Sequence, residues 1–492
     1  AAAGEPEPHC AAGAACGEGG AGREYYWARA RGKVPQASST EHTGPFGDLP
    51  SKLAWKWHHP VSPHFSNIVG GPLIDDEKHL YMANTDGIRK LSPDGQVLWH
   101  YRPMGAVPGV PSLADGALYG STMSGFVFAV AMDTGREIWS RRLAQDTGSD
   151  CHYTEVYKGV VVVGLESGEG GGETRILGVN ASTGRRLWDY KPSPPAWNFM
   201  ALFPGDETFL FMDLSGGVYR LGLYTGGLLW HTPANPAAAL SFSDGGMVLG
   251  PNGLAYTCSS FAGGQANTPG LLSALSVADG RRVWERLLPQ PCNSWPAVGD
   301  LRPPKARGSG EQLSVVVLPG PFAGSAPVVG LATTYRWLPQ FALLLVHGFS
   351  LWLARLGLQP YVLGNPVLRH MIQAFDAQTG QPRWDHEVPP YLQVACKGNE
   401  EGLYERMRLN NWRHEMTGPW SSPTIAADGT VYAGHQSGVV YAFRDANGDG
   451  LLDPRTEVST FDAGCAFLHT GVTFAPGMMC IASFQELFVF RA

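Results

Sequence analysis

A short acidic segment near the C-terminal end contains the residues best suited to chemistry. Residues 445–453 read Asp-Ala-Asn-Gly-Asp-Gly-Leu-Leu-Asp, with oxygen-bearing side chains at the first, third, fifth and ninth positions. Side chains of this type at this spacing wrap a hard cation, so we expect Ca²⁺ to stiffen a hairpin here. The alternative is an ordinary turn that binds nothing, because Asp, Asn and Gly also favour turns. The predicted metal positions are Asp445, Asn447, Asp449, Leu451 and Asp453.

The cysteines form a second set of reactive residues. The chain has 8 of them, and none belongs to a Cys-x-x-Cys pair of the kind that binds metals. An even number permits complete oxidation, and we expect two disulfides, Cys10 with Cys16 and Cys465 with Cys480. Disulfides are typical of an extracytoplasmic, secretory or organelle-luminal compartment. The alternative is a full set of buried thiols in a reducing compartment.

Composition and charge narrow the class of protein. Hydrophobic residues make up 44% of the chain and charged residues 16%, with 63 Gly and 38 Pro, as in a turn-rich globular β protein. The formal net charge of -7 provides no basic stripe, so we expect no nucleic-acid partner. Because the chain begins Ala-Ala-Ala-Gly, we expect a processed product whose leader has been removed.

Tryptophans recur at intervals of roughly forty residues and mark a repeating β unit. The clearest copy has strand-like residues at 117–119 and 125–129, followed by Asp133-Thr134-Gly135 and then Trp139. In each copy a glycine supplies the positive φ of a hairpin turn, and the tryptophan can wedge between neighbouring groups of strands. The tryptophans to which we assign this structural docking role are Trp57, Trp99, Trp139, Trp188, Trp230, Trp284 and Trp384.

This unit resembles the PQQ-like repeat, named after pyrroloquinoline quinone, over roughly residues 53–492. The resemblance implies an all-β fold, an eight-bladed β-propeller that occupies residues 51–492. The eighth unit, within residues 471–490, has only three strands, and residues 53–57 can supply the fourth and so close the ring. If that strand pairs elsewhere, the count falls to seven blades and a fragment. We expect residues 1–50 to form an extended N-terminal arm outside the ring.

The family that carries these repeats includes quinoprotein alcohol dehydrogenases and non-catalytic scaffolds such as the bacterial outer-membrane assembly lipoprotein. The dehydrogenases hold PQQ over the propeller axis with a disulfide between adjacent cysteines, a stacking tryptophan and a bound Ca²⁺. No two cysteines are adjacent here, and we find no matching base or calcium ligands. We therefore assign no catalytic residue, and a PQQ- and calcium-dependent oxidoreductase remains the alternative function.

An apolar insertion, residues 320–365, interrupts one blade. At helical spacing, Gln340, His347, Ser350 and Ala354 fall on one narrow stripe, and the rest of the segment is apolar. A single membrane crossing is excluded, because it would leave the two halves of one blade on opposite sides of the bilayer. The open alternatives are a helix lying in a membrane surface, a hairpin dipping into it, and a helix docked on a partner or on the propeller's own flank.

We expect residues 335–358 to dock on a membrane surface or a protein partner. The predicted docking residues are Trp337, Phe341, Leu344, Leu345, Phe349, Trp352 and Leu353. A second insertion, residues 389–419, is rich in charge, and we expect a loop and short helix that either cover one mouth of the ring or form a solvated face. Together these features predict a non-catalytic propeller that serves as a protein-interaction scaffold or binding module associated with a membrane or a complex.

Overall fold

The computed structural model describes residues 23–147, 153–168, 171–235, 246–261, 268–304, 307, 312–335, 337–409 and 417–492. Three sequence predictions lie partly or wholly outside the described residues. They are the Cys10–Cys16 disulfide, the first part of the N-terminal arm and residues 410–416 of the second insertion.

Within the described residues, the strands form eight antiparallel sheets, seven with four strands and one with three, which are the blades of a β-propeller. Blades one to four comprise β2 (Leu73–Ile74), β3 (Leu80–Asn84), β4 (Gly87–Leu91), β5 (Val97–Tyr101); β6 (Ser112–Ala114), β7 (Ala117–Ser121), β8 (Phe126–Ala131), β9 (Glu137–Arg142); β10 (Thr154–Tyr157), β11 (Val160–Ser167), β12 (Glu173–Asn180), β13 (Arg186–Tyr190); and β14 (Thr208–Met212), β15 (Val218–Gly222), β16 (Leu228–Thr232). Leu202 bridges to Leu210 at the inner edge of the fourth blade, where the other blades have a complete strand.

The remaining blades carry the insertions and the closing strand. They comprise β17 (Met247–Leu249), β18 (Leu254–Ser260), β19 (Gly270–Ser276), β20 (Arg282–Leu288); β21 (Ala297–Asp300), β22 (Leu313–Val317), β23 (Leu368–Asp376), β24 (Pro382–Tyr391); β25 (Thr424–Ile425), β26 (Val431–Gly434), β27 (Val439–Phe443), β28 (Val458–Asp462); and β29 (Thr473–Ala475), β30 (Met478–Ala482), β31 (Glu486–Arg491) with β1 (Leu53–His58). The described helices are α1 (Pro327–Thr334), α2 (Gln340–Arg355), α3 (Gln359–Leu363), α4 (Leu403–Arg408) and a 3-10 turn at Pro50–Lys52.

The two ends of the propeller sequence meet in the eighth blade. β1 runs antiparallel to β31, with Trp55 opposite Val489 and Trp57 opposite Leu487. This pairing supplies the fourth strand of the last sheet. The prediction of eight blades closed by a strand from near the N-terminus is confirmed.

The repeat tryptophans join each blade to the next. The indole N–H of Trp139 donates to the carbonyl of Ala181 at 2.8 Å, and that of Trp188 donates to Leu223 at 2.8 Å. In the closing strand the equivalent residue is Trp55, which donates to the carbonyl of Pro93 at 2.9 Å. Trp57 lies two residues farther along the strand, on the same face, and packs beside Arg89 of the first blade. The sequence pattern therefore missed Trp55.

The cysteine pairing differs from the prediction. The structure joins Cys258 on β18 to Cys292, with Cα atoms 5.8 Å apart. Cys465 and Cys480 are separate, buried thiols, so the predicted bond between them was wrong. Their side chains belong to different hydrophobic clusters, because Cys480 points into the sheet core from β30 while Cys465 lies in the connection toward β29. Burial raises the pKa of both thiols.

The described part of the N-terminal arm, residues 23–49, does not lie outside the ring. It enters the axial opening and hydrogen-bonds to the innermost strands of the blades. Ile74 and Trp27 exchange main-chain bonds at 2.9 Å, and the N–H of Val298 donates to Ala37 at 2.8 Å. These inner strands have a free edge toward the axis, and the arm supplies its missing partners. The further main-chain contacts of this kind are made to Leu113, Leu249 and Ile425.

The arm and the two insertions lie at opposite faces of the propeller. In an antiparallel blade, the turns that join strands one and two and strands three and four lie at the same face. The arm reaches such turns in two blades, where Gly116 donates to the hydroxyl of Tyr25 and Ala427 donates to the carbonyl of His42. The first insertion joins strands two and three of its blade, and the second follows strand four. Both therefore emerge at the opposite face.

We expect Gly135→Ala to destabilise the ring more than Gly116→Ala. Both glycines have positive φ, +70° and +78°, so an alanine at either site costs about 1 kcal/mol of backbone strain. A methyl group at Gly135 would also lie 2.7 Å from the ring of Trp99, whereas nothing lies within 4 Å at Gly116. Overpacking should raise the loss in free energy of unfolding caused by Gly135→Ala to about 2 to 4 kcal/mol.

Denaturant unfolding of the two variants and the wild type measures both losses. Equal losses at the two positions would show that contact between a turn glycine and the preceding tryptophan does not hold the blades together.

Candidate functional site

The apolar insertion stands out from the propeller as three helices. α1, α2 and α3 lie between β22 and β23 of the sixth blade, and the second insertion follows β24 of the same blade. The two insertions touch each other, because Gly324 bridges to Ala395 in a parallel arrangement. They form one raised platform at the face opposite the arm, and this insertion platform is the candidate site.

Helix α2 buries polar side chains and exposes apolar ones, which is the reverse of an ordinary surface helix. Its buried side chains include His347 and Ser350, two of the polar residues of the segment. Its outward side carries Phe341 and Leu345, which are 67% and 70% exposed, and Phe349, which is 51% exposed. Since these three residues are spaced by four, they form one continuous apolar stripe in solvent. We call Phe341, Leu345 and Phe349 the outer stripe.

A buried polar network holds α2 in this orientation. The hydroxyl of Ser350 donates to a carboxylate oxygen of Glu400 at 2.6 Å, and the Nε2 of Gln359 donates to the other oxygen at 2.7 Å. The Oε1 of Gln359 accepts the N–H of Val394 at 3.0 Å. Burial raises the pKa of Glu400 above its usual value. The network links the apolar insertion to the charged one through hydrogen bonds shielded from water.

Five of the seven predicted docking residues are solvent-exposed: Trp337, Phe341, Leu345, Phe349 and Trp352. Leu344 instead lines a cleft, and Leu353 is 2% exposed. The prediction that Leu353 helps to form a docking surface was wrong, because it shares the buried side of α2 with Ser350 and Ala354. Across the described stretches, none of the helices combines the length and the apolar character that crossing a bilayer requires.

The second insertion packs on the seventh and eighth blades. Lys397 donates its N–H to Gln436 of the seventh blade and accepts the N–H of Ala466 at its carbonyl, both at 2.9 Å. Arg406 on α4 is buried and donates to the carbonyl of Gly398 at 3.1 Å. The described part of this charged segment is therefore packed on the propeller and is not a fully solvated face.

The propeller axis contains charged groups that the sequence pattern did not reveal. Arg31, from the arm, lies with its guanidinium 3.9 Å from the ring centroid of Trp295. Arg29 lies 3.8 Å from a carboxylate oxygen of Glu155. All of these side chains are buried, and burial lowers the pKa of Arg31 while it raises that of Glu155. No spacing rule connects the arm with the inner strands, so only the folded chain brings these residues together.

The axial residues do not fit PQQ. The guanidinium of Arg31 lies over one face of the Trp295 ring, so a flat quinone could not stack on that face. The disulfide of the described chain joins residues separated by 34 positions, not adjacent ones. Within the part of the chain that the structure describes, no group of three or more His, Cys, Asp or Glu side chains is placed to hold a metal ion.

The acidic segment at residues 445–453 forms the turn between β27 and β28, at the same face as the arm. Asp445 accepts main-chain N–H groups of Gly448 and Gly450, at 2.7 and 3.1 Å. Glu457, which follows this segment, accepts the N–H groups of Ala446 and Asp453 at 2.9 and 3.0 Å. Hydrogen bonds from the amides of the turn to these carboxylates therefore already order it. Calcium binding stays a prediction.

Comparisons with known proteins agree with this architecture. A family model described as outer membrane protein assembly factor BamB matches residues 84–242. The chain is similar to outer membrane protein assembly factor BamB of Nitrosomonas eutropha, with 27% identity over 162 residues. That alignment covers 32% of this chain and 37% of the relative, so it spans little more than a third of the relative's length.

Solved structures share the fold over most of the chain. The crystal structure of BamB from Moraxella catarrhalis has 14% identity and a TM-score of 0.53, covering 89% of this chain and 99% of that one. A europium-containing methanol dehydrogenase has 13% identity and a TM-score of 0.56, covering 95% and 98%. Quinohemoprotein alcohol dehydrogenase from Comamonas testosteroni has 13% identity and a TM-score of 0.55, covering 94% and 80%.

The closed ring of eight four-stranded units defines this protein as an eight-bladed β-propeller. Its repeats resemble the PQQ-like repeat, and the family model matches residues 84–242. Because solved structures with this fold include both dehydrogenases and an assembly factor, the function has to be argued from the site.

We expect the insertion platform to lose stability as the pH rises. Because the folded-state pKa of Glu400 is raised above its usual value of 4.5, the folded chain binds this proton more tightly than the unfolded chain. Its stabilising contribution is complete below pH 4.5 and is lost as the pH rises through the folded pKa. Thermal unfolding across this range should show Glu400→Gln gaining on the wild type with increasing pH.

Ser350→Ala is the matched control for this titration. It removes one hydrogen bond to Glu400 but keeps the carboxyl, so it should lower the melting temperature while retaining the pH dependence. A pH profile of Glu400→Gln that runs parallel to the wild type would contradict the role of Glu400 in the network.

Calcium is expected to raise the melting temperature of the wild type and not that of a variant with both Asp445→Asn and Asp449→Asn. Binding to the folded chain alone stabilises it by mass action, and the double substitution removes two of the predicted carboxylate ligands. Thermal unfolding with millimolar CaCl₂ or with a chelator measures the shift. Identical curves in calcium and chelator would contradict the prediction.

Proposed function

We propose that this propeller is a non-catalytic scaffold that binds a protein partner in an extracytoplasmic compartment. The observation that carries the proposal is the outer stripe of α2. A monomeric protein seldom exposes a contiguous apolar surface unless another molecule covers it. The buried hydrogen-bond network around Glu400 fixes the helix with its apolar side outward, so this exposure is built into the fold.

A protein fits this surface better than a membrane does. Helices that lie in a bilayer surface usually carry lysines and arginines along their polar side, where they meet anionic head groups. The polar side of α2 is instead buried against the second insertion, and the only charged residue of α2 is Arg355 at its end. Aromatic and aliphatic residues on a rigid, uncharged stripe are typical of the centre of a protein interface.

The comparisons and the disulfide support the compartment and the class of partner. The matching relative is named as an outer membrane protein assembly factor. The Cys258–Cys292 bond suits an oxidising compartment. We accordingly place the chain outside the cytoplasm, at the periphery of a membrane-bound assembly.

A photocrosslinker tests this function directly. Benzoylphenylalanine introduced at Leu345, in the cells that produce the protein, should give a discrete adduct with another protein on irradiation. Leu287 on β20 is a matched control, because both leucines are 70% exposed and Leu287 lies on the outer strand of the fifth blade. Combining Phe341→Ser and Phe349→Ser should reduce the adduct at least about tenfold, as for removal of central interface residues.

The result that contradicts the proposal is also specific. Adducts of equal yield at both positions, or adducts with phospholipid alone, would show that the outer stripe is not a protein-binding surface. Because the substituted side chains are exposed, the two serine variants should keep the melting temperature of the wild type within a few degrees.

The quinoprotein alternative has its own assay. The purified chain, incubated with PQQ and Ca²⁺, should show no dye-linked oxidation of primary alcohols, because Arg31 covers the ring of Trp295 at the axis. Turnover that requires both additions would establish the dehydrogenase and displace the scaffold as the primary function.

A further inference from the structure

One buried glutamine of the seventh blade holds both insertions to the propeller. Gln436 lies in the turn between β26 and β27 and is 0% exposed. Its main-chain N–H donates to the carbonyl of Pro419, and its carbonyl accepts the N–H of Lys397, both at 2.9 Å. Its side-chain Oε1 accepts the N–H of Ala323 at 3.0 Å. Gln436 therefore binds the first insertion at one point and the second insertion at two.

A buried histidine completes this junction. The Nε2 of His370, on β23, lies 2.8 Å from the amide nitrogen of the Gln436 side chain and 3.0 Å from the carbonyl oxygen of Pro321. The imidazole is 0% exposed, and its Nδ1 has no hydrogen-bond partner among the described residues. We call the hydrogen bond between His370 and Gln436 the latch.

The latch requires an imidazole Nε2 that carries no hydrogen. Because Oε1 of Gln436 accepts the N–H of Ala323, the side-chain NH₂ group faces His370, and this group can only donate. Neutral His370 can accept the hydrogen bond with the lone pair of Nε2. When the imidazole is protonated, both ring nitrogens become donors. The carbonyl of Pro321 then accepts from Nε2, but Gln436 has lost its acceptor.

The surroundings of His370 do not compensate a positive charge. A second buried imidazole, His435, has its ring centroid 4.6 Å from that of His370. Glu401 is paired with Lys397 at 2.8 Å, and Glu400 accepts from Ser350 and Gln359, so both nearby carboxylates have other partners. The other titratable groups around the two imidazoles are Tyr391, Cys396, Lys397, Glu400, Glu401 and His469.

We infer that the latch is an acid-sensitive device: protonation of His370 breaks the hydrogen bond to Gln436 and loosens the insertion platform from the seventh blade. The inference goes beyond the proposed function and does not require a partner. A missing crosslinked adduct at Leu345 would contradict the proposed function and leave the latch intact.

The pH range of the device follows from burial. Burial lowers the pKa of His370 from 6.5 to about 4, and the carbonyl of Pro321 offsets only part of this effect. The stabilising contribution of neutral His370 is therefore complete above pH 6.5 and is lost as the pH falls toward 4. Glu400 responds in the opposite direction, since its contribution is complete below pH 4.5. Together the two buried networks hold the platform most firmly between acid and alkaline conditions.

Hydrogen exchange of single amides in the full chain tests the latch. The N–H groups of Ala323 and Lys397 report on the junction, and that of Val162 on β11 reports on the propeller core. Corrected for intrinsic exchange, the opening constant at the junction should rise at least about thirtyfold from pH 7.5 to pH 5, because an open His370 binds its proton more tightly. Protection at Val162 should persist. A parallel rise at all three amides, or none at the junction, would overturn the inference.

His370→Gln replaces the imidazole by an acceptor that does not titrate. Its amide oxygen can take the place of Nε2, so protection at pH 7.5 should persist, while the rise at pH 5 should be about thirtyfold smaller than in the wild type. His386→Gln is the matched control, because His386 lies on β24 of the same blade and burial lowers its pKa as well. It should keep the wild-type response. A full response in His370→Gln would contradict the role of His370.

The tautomer of His370 provides a second measurement on the unaltered chain. Since Nε2 accepts from Gln436, neutral His370 should carry its hydrogen on Nδ1, and the nitrogen chemical shifts of a histidine-labelled sample report which ring nitrogen is protonated. The Nδ1–H tautomer at pH 7.5 supports a closed latch. The Nε2–H tautomer at that pH would overturn the inference even if His370→Gln does not fold.

Discussion

An unpaired strand edge is the constraint on which the rest of this structure depends. Each blade has an outer edge and an inner edge, and a row of free main-chain groups is costly in a folded protein. The last blade lacks an outer strand of its own, and β1 provides it by pairing with β31. The inner edges face the axis, and the arm hydrogen-bonds to them with residues such as Trp27 and Ala37. Residues near the N-terminus thus pair with the outer edge of the last blade and with the inner edges of several blades.

Much of the fold could be predicted because its signal is local. A glycine in a turn and a tryptophan four residues later lie within one hairpin, so their spacing survives in the sequence even where neighbouring residues change. The closing strand was also recognisable, because the eighth unit had three strands and needed a fourth. The same pattern did not distinguish Trp55 from Trp57, since residues two apart on a strand share a face and only the register of β1 against β31 decides between them.

The parts that could not be predicted depend on contacts between distant segments. The arm has no periodic pattern, so its place in the axis follows from the edges it pairs with and not from its own composition. Arg31 reaches Trp295 across more than half of the chain. The disulfide is a similar case, because counting cysteines shows that oxidation is permitted but not which thiols meet. For α2 the helical period was visible, but the side facing the propeller was set by Glu400, fifty positions from Ser350.

The orientation of α2 connects this folding argument to function. The hydrophobic effect alone would pack this helix on the protein surface with Phe341 and Leu345 buried and Ser350 in solvent. The observed helix does the reverse, and the hydroxyl of Ser350 makes its hydrogen bond inside the protein. The exposed apolar stripe is therefore retained at a cost in stability. This stripe and the adjoining cleft lined by Leu344 expose apolar surface that stability alone does not require, and a partner that covers both would recover the cost.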